Sequence, residues 1–264
     1  MTKLASVFTT VAVLVAGVAG SVPAAAQSDA APYDPPLDIG VVLYDGAEPL
    51  DVFGPVEMWL NAGPGLIRVH LIADSARPVA LTTTTYPAEM APKVQAQYGY
   101  DDAPPLDVIM VPGGIGTLRE VENRQLLDFI AERAAEVQLT TSVCTGSAIL
   151  AKAGVLDGLP ATGNKAFFSY IAGFGPETEW VKEARWVDAG HVMTSSGVSA
   201  GIDMSLAVVA RFFGQDAARM LAQATEYEWN EDAGRDPFVG NLDSAMPYLE
   251  RLEAAVGESS GSGF

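Results

Sequence analysis

Cys144 is the only cysteine in a chain of 264 residues, so it cannot join a disulfide within the chain, and its setting decides whether it is reactive or inert. It lies in Gln138-Leu139-Thr140-Thr141-Ser142-Val143-Cys144-Thr145-Gly146-Ser147, ahead of an apolar stretch from Ala148 to Ala153. Ser142 and Gly146 stand two positions to either side, which are the small neighbours that a nucleophile needs on the sharp strand-to-helix turn called an elbow. On such a turn the thiol projects into a cleft, and the N–H groups of the helix that follows favour the thiolate and lower its pKa. The alternative is a small buried hydrophobe, the common fate of a free cysteine.

Two further stretches could serve such a thiol. Pro112-Gly113-Gly114-Ile115-Gly116 lets the backbone approach a ligand and present N–H groups to a developing oxyanion, with Gly113, Gly114 and Ile115 as donors and the Thr145 N–H as another. The spacing matches neither phosphate-binding glycine motif, and a plain strand-to-helix turn is its bland reading. Glu48-Pro49-Leu50-Asp51-Val52-Phe53-Gly54-Pro55-Val56-Glu57 carries Asp51, either a helix N-cap or an acid/base whose pKa is raised by the apolar Leu50, Phe53 and Trp59.

The elements that must position these groups follow from patterning. Asp38 to Tyr44 and Leu106 to Val111 are short, β-branched-rich apolar runs that suit strands buried on both faces of a parallel sheet. Val52–Asn61, Asn123–Glu136, Ser147–Ala153 and Ala200–Phe213 read as amphipathic helices. The alternation predicts an α/β fold, doubly wound, with a mostly parallel sheet and helices on both faces, in which ligands bind beyond the carboxyl ends of the strands. Val79–Thr85 and Arg185–Thr194 read as antiparallel additions, the second a hairpin turning at Asp188-Ala189-Gly190.

Leu-Asp-x-x-Gly-Pro after the first strand, Val-Pro-Gly-Gly, Ser-Val-Cys-Thr-Gly-Ser and Ser-Gly-Val-Ser-Ala-Gly-Ile-Asp at 196–203 together resemble the ThiJ/PfpI superfamily, the class I glutamine-amidotransferase-like proteins of flavodoxin-like fold. The resemblance covers Asp38 to Tyr227 and is nearest to isonitrile hydratases and to the amidotransferase-like domains of AraC-type regulators. It implies a hydro-lyase that adds water to an isonitrile through a Cys144 thioimidate, with Asp51 as acid/base, Thr145 as the adjacent polar residue, Asn164 and Glu57 as substrate contacts, no cofactor and no metal. A homodimer is implied in the same way. Relatives commonly read Ala-Thr-Thr-His where this chain has Ala161-Thr162-Gly163-Asn164, so the usual cleft histidine is missing. His70, in a predicted second strand, and His191, in the late hairpin, read as structural. That favours Asp-assisted hydration over Cys-His hydrolysis. Glyoxalase-, deglycase- or amidase-like chemistry on small molecules and a thiol-based binding or redox-sensing module are the alternatives.

Composition narrows the partners. With 15 basic and 33 acidic residues, a net charge of −18 and a pI near 4.3, the chain repels nucleic-acid phosphates and anionic membranes and suits a small neutral substrate. Two histidines and one cysteine are too few for a structural zinc site. Met1-Thr2-Lys3, an apolar run to Val18 and Ala24-Ala25-Ala26 read as a signal peptide cleaved after Ala26, so the mature protein is expected in the periplasm or secreted. Residues 27–37 read as a proline-rich linker and 38–230 as the α/β domain. Residues 231–264 read as an extension with an acidic helix, Asn241 to Val256, and a Gly/Ser-rich tail. An AraC-type helix-turn-helix would need further basic sequence after this point, so transcriptional regulation is poorly supported.

Overall fold

The computed structural model describes residues 33–248. The expected signal peptide, residues 27–32 of the linker, the acidic helix beyond residue 248 and the Gly/Ser tail lie outside the described residues. The first half runs β1 (Leu37–Val42), α1 (Pro49–Asn61), β2 (Ile67–Ile72), β3 (Pro78–Ala80), β4 (Lys93–Gln95), β5 (Val108–Val111), α2 (Thr117–Glu120) and α3 (Arg124–Ala134). The second runs β6 (Leu139–Val143), α4 (Gly146–Lys152), β7 (Pro160–Ala161), α5 (Phe168–Ala172), β8 (Glu179–Trp180), β9 (Trp186–Asp188), β10 (Val192–Ser195), α6 (Ala200–Phe213) and α7 (Gln215–Ala224).

Six strands make the central sheet in the order β2-β1-β5-β6-β10-β9, parallel throughout except at β9. Every residue of β5, β6 and β10 is buried, as strands covered on both faces must be. Helices α1, α6 and α7 pack together as one group and α2, α3, α4 and α5 as another. The fully buried Trp59 joins α1 to α6, its indole N–H donating to the Ser205 carbonyl at 3.3 Å. Among the described residues no helix is long and apolar enough to cross a membrane.

Strand order reverses between β1 and β5, and such a switch point opens a crevice at the carboxyl ends of the strands. The loops after β1, β5 and β6 meet there.

Several expectations change. The linker ends at Pro36, because Leu37 is already buried in β1, paired beside Ile67. The hairpin at 185–194 forms, but β10 lies parallel to β6 inside the sheet and only β9 is an antiparallel edge. The Val79 strand does not join the central sheet; β3 pairs antiparallel with β4. At Asn241, the expected start of the acidic helix, there is a 3-10 turn, Val239–Asn241.

Candidate active site

The elbow forms where its spacing places it. β6 ends at Val143, α4 begins at Gly146, and Cys144 between them has φ 61°, a left-handed conformation rare for a residue with a side chain. Small residues permit the crowding around it. A Cβ on Gly197 would lie 2.5 Å from the Cys144 sulfur, and one on Gly113 would lie 2.5 Å from the Thr145 nitrogen. The thiol is buried, 5% exposed, at the base of a cavity of about 160 Å³. Ile115, Leu118, Phe167, Tyr170 and Val198 supply apolar wall, and Glu48 is its one carboxylate.

Asp51 is not the N-cap. Glu48 holds that position, while Asp51 sits in the first turn of α1 with no exposed surface. Its Oδ2 accepts the Gly113 N–H at 3.0 Å; its Oδ1 is buried with no N–H or O–H partner among the described residues. Burial above all pushes this carboxyl well above the carboxylate range; the Gly113 N–H pulls against it, the charge of Glu48 adds a smaller push and the Cys144 thiol a smaller pull. Burial likewise raises Glu48.

The expected low-pKa thiol is overturned. Burial first, then the neighbouring Asp51, pushes Cys144 well above the ordinary thiol range. The Asn164 amide and the Thr145 N–H favour the thiolate but do not offset this. Helix α4 has seven residues and starts beside a deeply buried thiol with no cation against it among the described residues, so desolvation wins over its dipole. Burial favours the protonated form of both groups, thiol and carboxylic acid.

The predicted donors divide. The Gly113 N–H is committed to Asp51 and the Gly114 N–H to Thr145 Oγ1 at 3.0 Å, so neither serves an oxyanion. Ile115 lines the cavity, and the Thr145 N–H faces the sulfur. The Thr145 hydroxyl pairs with Thr117 Oγ1 at 2.8 Å. Thr117 in turn lies 3.3 Å from the Tyr44 hydroxyl, which donates to the Pro112 carbonyl at 2.6 Å. This buried chain fixes the glycine loop against the elbow. Asn164 does more than wait for a substrate: its Nδ2 donates to the Cys144 sulfur at 3.1 Å, its Oδ1 accepts the Ala166 N–H, and its N–H donates to the Cys144 carbonyl. The Ala166 bond fixes which way the amide points.

Glu57 does not reach the cavity. It is exposed on α1 and bonded to Asn61; Glu48, one loop earlier, is the carboxylate that does. Neither histidine is near: His70 pairs with Asp38 at 2.7 Å and His191 lies in the β9–β10 turn. Glu48, Gly197, Thr117 and Tyr44 are the site residues that sequence reasoning missed; the first two stood inside quoted motifs. Among the described residues no group of three or more His, Cys, Asp or Glu side chains gathers as a metal site.

Residues 38–211 match the DJ-1/PfpI family. The chain belongs to that family. Among its DJ-1/PfpI relatives, the isonitrile hydratase of Pseudomonas putida is 36% identical over 191 residues, 72% of this chain and 78% of the hydratase. The HTH-type transcriptional regulator GbdR of Pseudomonas aeruginosa is 27% identical over 84% of this chain, which spans only 60% of the regulator. A ThiJ/PfpI family protein from Pseudomonas syringae superposes with TM-score 0.67 at 27% identity, over 86% of this chain and 93% of that one. Drosophila melanogaster DJ-1beta shares the fold with TM-score 0.62 at 18% identity, over 73% of this chain and 99% of that one.

Proposed function

We propose that this protein hydrates a small organic isonitrile, R–N≡C, to the N-substituted formamide. The observation that carries the reading is the buried pairing of Cys144 with Asp51 beneath a largely apolar cavity, where burial favours the protonated form of each. An isonitrile carbon accepts a proton and a nucleophile at one atom. Asp51 gives its proton to that carbon as the sulfur adds to it, and takes up the proton the thiol releases, so no net charge builds up at the buried pair. The product is a thioimidate, R–N=CH–S–Cys144. Water then adds to its carbon, the nitrogen is protonated, the C–S bond breaks and the sulfur recovers a proton, releasing R–NH–CHO. The Thr145 N–H, which faces the sulfur, and the N–H of Ile115, which lines the cavity, are the donors this reading assigns to the added oxygen.

The 36% identity to an isonitrile hydratase supports the same chemistry. A redox-sensing role is less well supported, because sensor thiols are exposed and acidic and Cys144 is neither. The signal-like N-terminus supports action outside the cytoplasm, and N-terminal sequencing of the mature protein would begin at Gln27.

Purified protein should convert cyclohexyl isocyanide to N-cyclohexylformamide. Cys144→Ala should lower turnover by about 10⁴-fold or more, the scale for removing a nucleophile. An unchanged rate in Cys144→Ala removes the mechanism; turnover of methylglyoxal or amides in place of isonitriles removes the substrate class.

A further inference from the structure

The family match ends at residue 211, yet the chain beyond it returns to the site. Asp236 enters the body with its side chain fully buried, 3.6 Å from Lys165 Nζ and 3.7 Å from Arg185 Nη1. Its N–H donates to the Glu183 carbonyl. Farther on, the Asp243 N–H donates to the Lys165 carbonyl at 2.8 Å and the Ala245 N–H to the Ala166 carbonyl at 3.0 Å. The Asp243 carboxylate accepts from the Ser169 N–H at 2.7 Å and from the Ser169 hydroxyl at 2.6 Å. The Tyr248 hydroxyl then donates to the Thr84 carbonyl at 2.7 Å.

These contacts fall on two separate stretches of the cavity wall. One carries Asn164, Phe167 and Tyr170; the other carries Thr84. They are far apart in sequence, and among the described residues the 236–248 segment grips both. Asn164, which donates to the sulfur, immediately precedes Lys165 and Ala166, whose carbonyls the segment bonds.

We propose that residues 236–248 form a strap that ties the two walls together and sets the size of molecule that reaches Cys144. Asp236 is its buried anchor, and Asp243 and Tyr248 are its positioning residues. The strap admits a compact, neutral group and excludes broad aromatic ones. A hydrogen-bonded tie, unlike a packed core, can be loosened one bond at a time without losing the fold.

The sole cysteine makes labelling the direct readout. Iodoacetamide is a small thiol reagent, and N-(1-pyrenyl)maleimide is a broad one. On the full-length protein, Tyr248→Phe should raise the pyrenylmaleimide rate by roughly three- to tenfold relative to the iodoacetamide rate, the scale set by one lost hydrogen bond. Asp243→Gly should do the same, since glycine keeps the left-handed backbone found there (φ 57°) while removing both Ser169 contacts. Thermal melts identify a variant that fails to fold, and Tyr248→Phe keeps its ring in place. An unchanged ratio in both folded variants overturns the proposal, and so does equal acceleration of both reagents, which marks general loosening. No isonitrile is needed, so a wild-type protein that fails to hydrate isonitriles leaves this test standing.

Discussion

Two groups of buried ionisable side chains lie close together in this fold and are treated in opposite ways. In the cluster of Lys165, Arg185, Asp203 and Asp236, cations and carboxylates are matched. Arg185 Nε donates to Asp203 Oδ2 at 2.9 Å, and Asp203 Oδ1 also accepts from the Tyr227 hydroxyl and the Asn230 N–H. Lys165 donates to the Ala184 carbonyl at 2.7 Å and to Thr162 Oγ1 at 2.9 Å. Burial brings its pKa down only to about 8, against the pull of Asp236, so it stays charged at neutral pH. At Cys144 and Asp51 no cation is supplied, and burial drives both groups to their neutral forms. The difference teaches that polarity in this interior follows from which partners are provided. The fold supplies counter-charges to the first group and, among the described residues, none to the second.

The matched cluster is the easier one to break. Arg185→Met should destabilise the protein by about 3–5 kcal/mol in urea unfolding at pH 7, because Asp203 is left buried without its cation and Asp236 keeps only Lys165. A stability unchanged from wild type would mean that the cluster is not acting through charge.

Asp51→Asn should do the reverse to stability. The folded-state pKa of Asp51 lies above its unfolded value near 3.8, so the folded protein holds a proton that the unfolded chain releases, and stability falls as pH rises from about 4 towards the folded pKa. Asparagine carries no such penalty. The melting temperature of Asp51→Asn relative to wild type should therefore climb between pH 4 and pH 8, while isonitrile turnover drops by roughly 10²–10⁴-fold for loss of the acid/base. A difference in melting temperature that is flat with pH would show Asp51 to be ionised at rest.

Thr117→Val probes the smallest effect. It removes the hydroxyl that pairs with Thr145 and should cost about 1 kcal/mol of stability, with turnover lowered through a less ordered Thr145 and KM little changed.

Much of this was legible from spacing alone. Helix α6 occupies the span its apolar pattern marked, Ala200–Phe213, because a helix is specified by neighbours three and four residues apart. The elbow was legible for the same reason: two small residues flanking Cys144 are a local rule. What failed was non-local. The parallel pairing of β10 joins residues about fifty positions from β6, and no local pattern encodes it. That Glu48 and not Glu57 lines the cavity is not legible either, because position in a motif does not say which side of a helix start faces a cavity. The direction of the thiol's pKa is not legible in the sequence, because the helix dipole can be read there whereas the depth at which a side chain is buried cannot.

The left-handed backbone at Cys144 has one more consequence. For nearly any side chain that conformation costs about 1–2 kcal/mol relative to the ordinary helical region, and glycine alone escapes the penalty. Selection for durability alone would favour glycine at position 144. A cysteine there, crowded by Gly113 and Gly197 whose lack of side chains makes room for it, is held at a backbone cost that glycine would avoid.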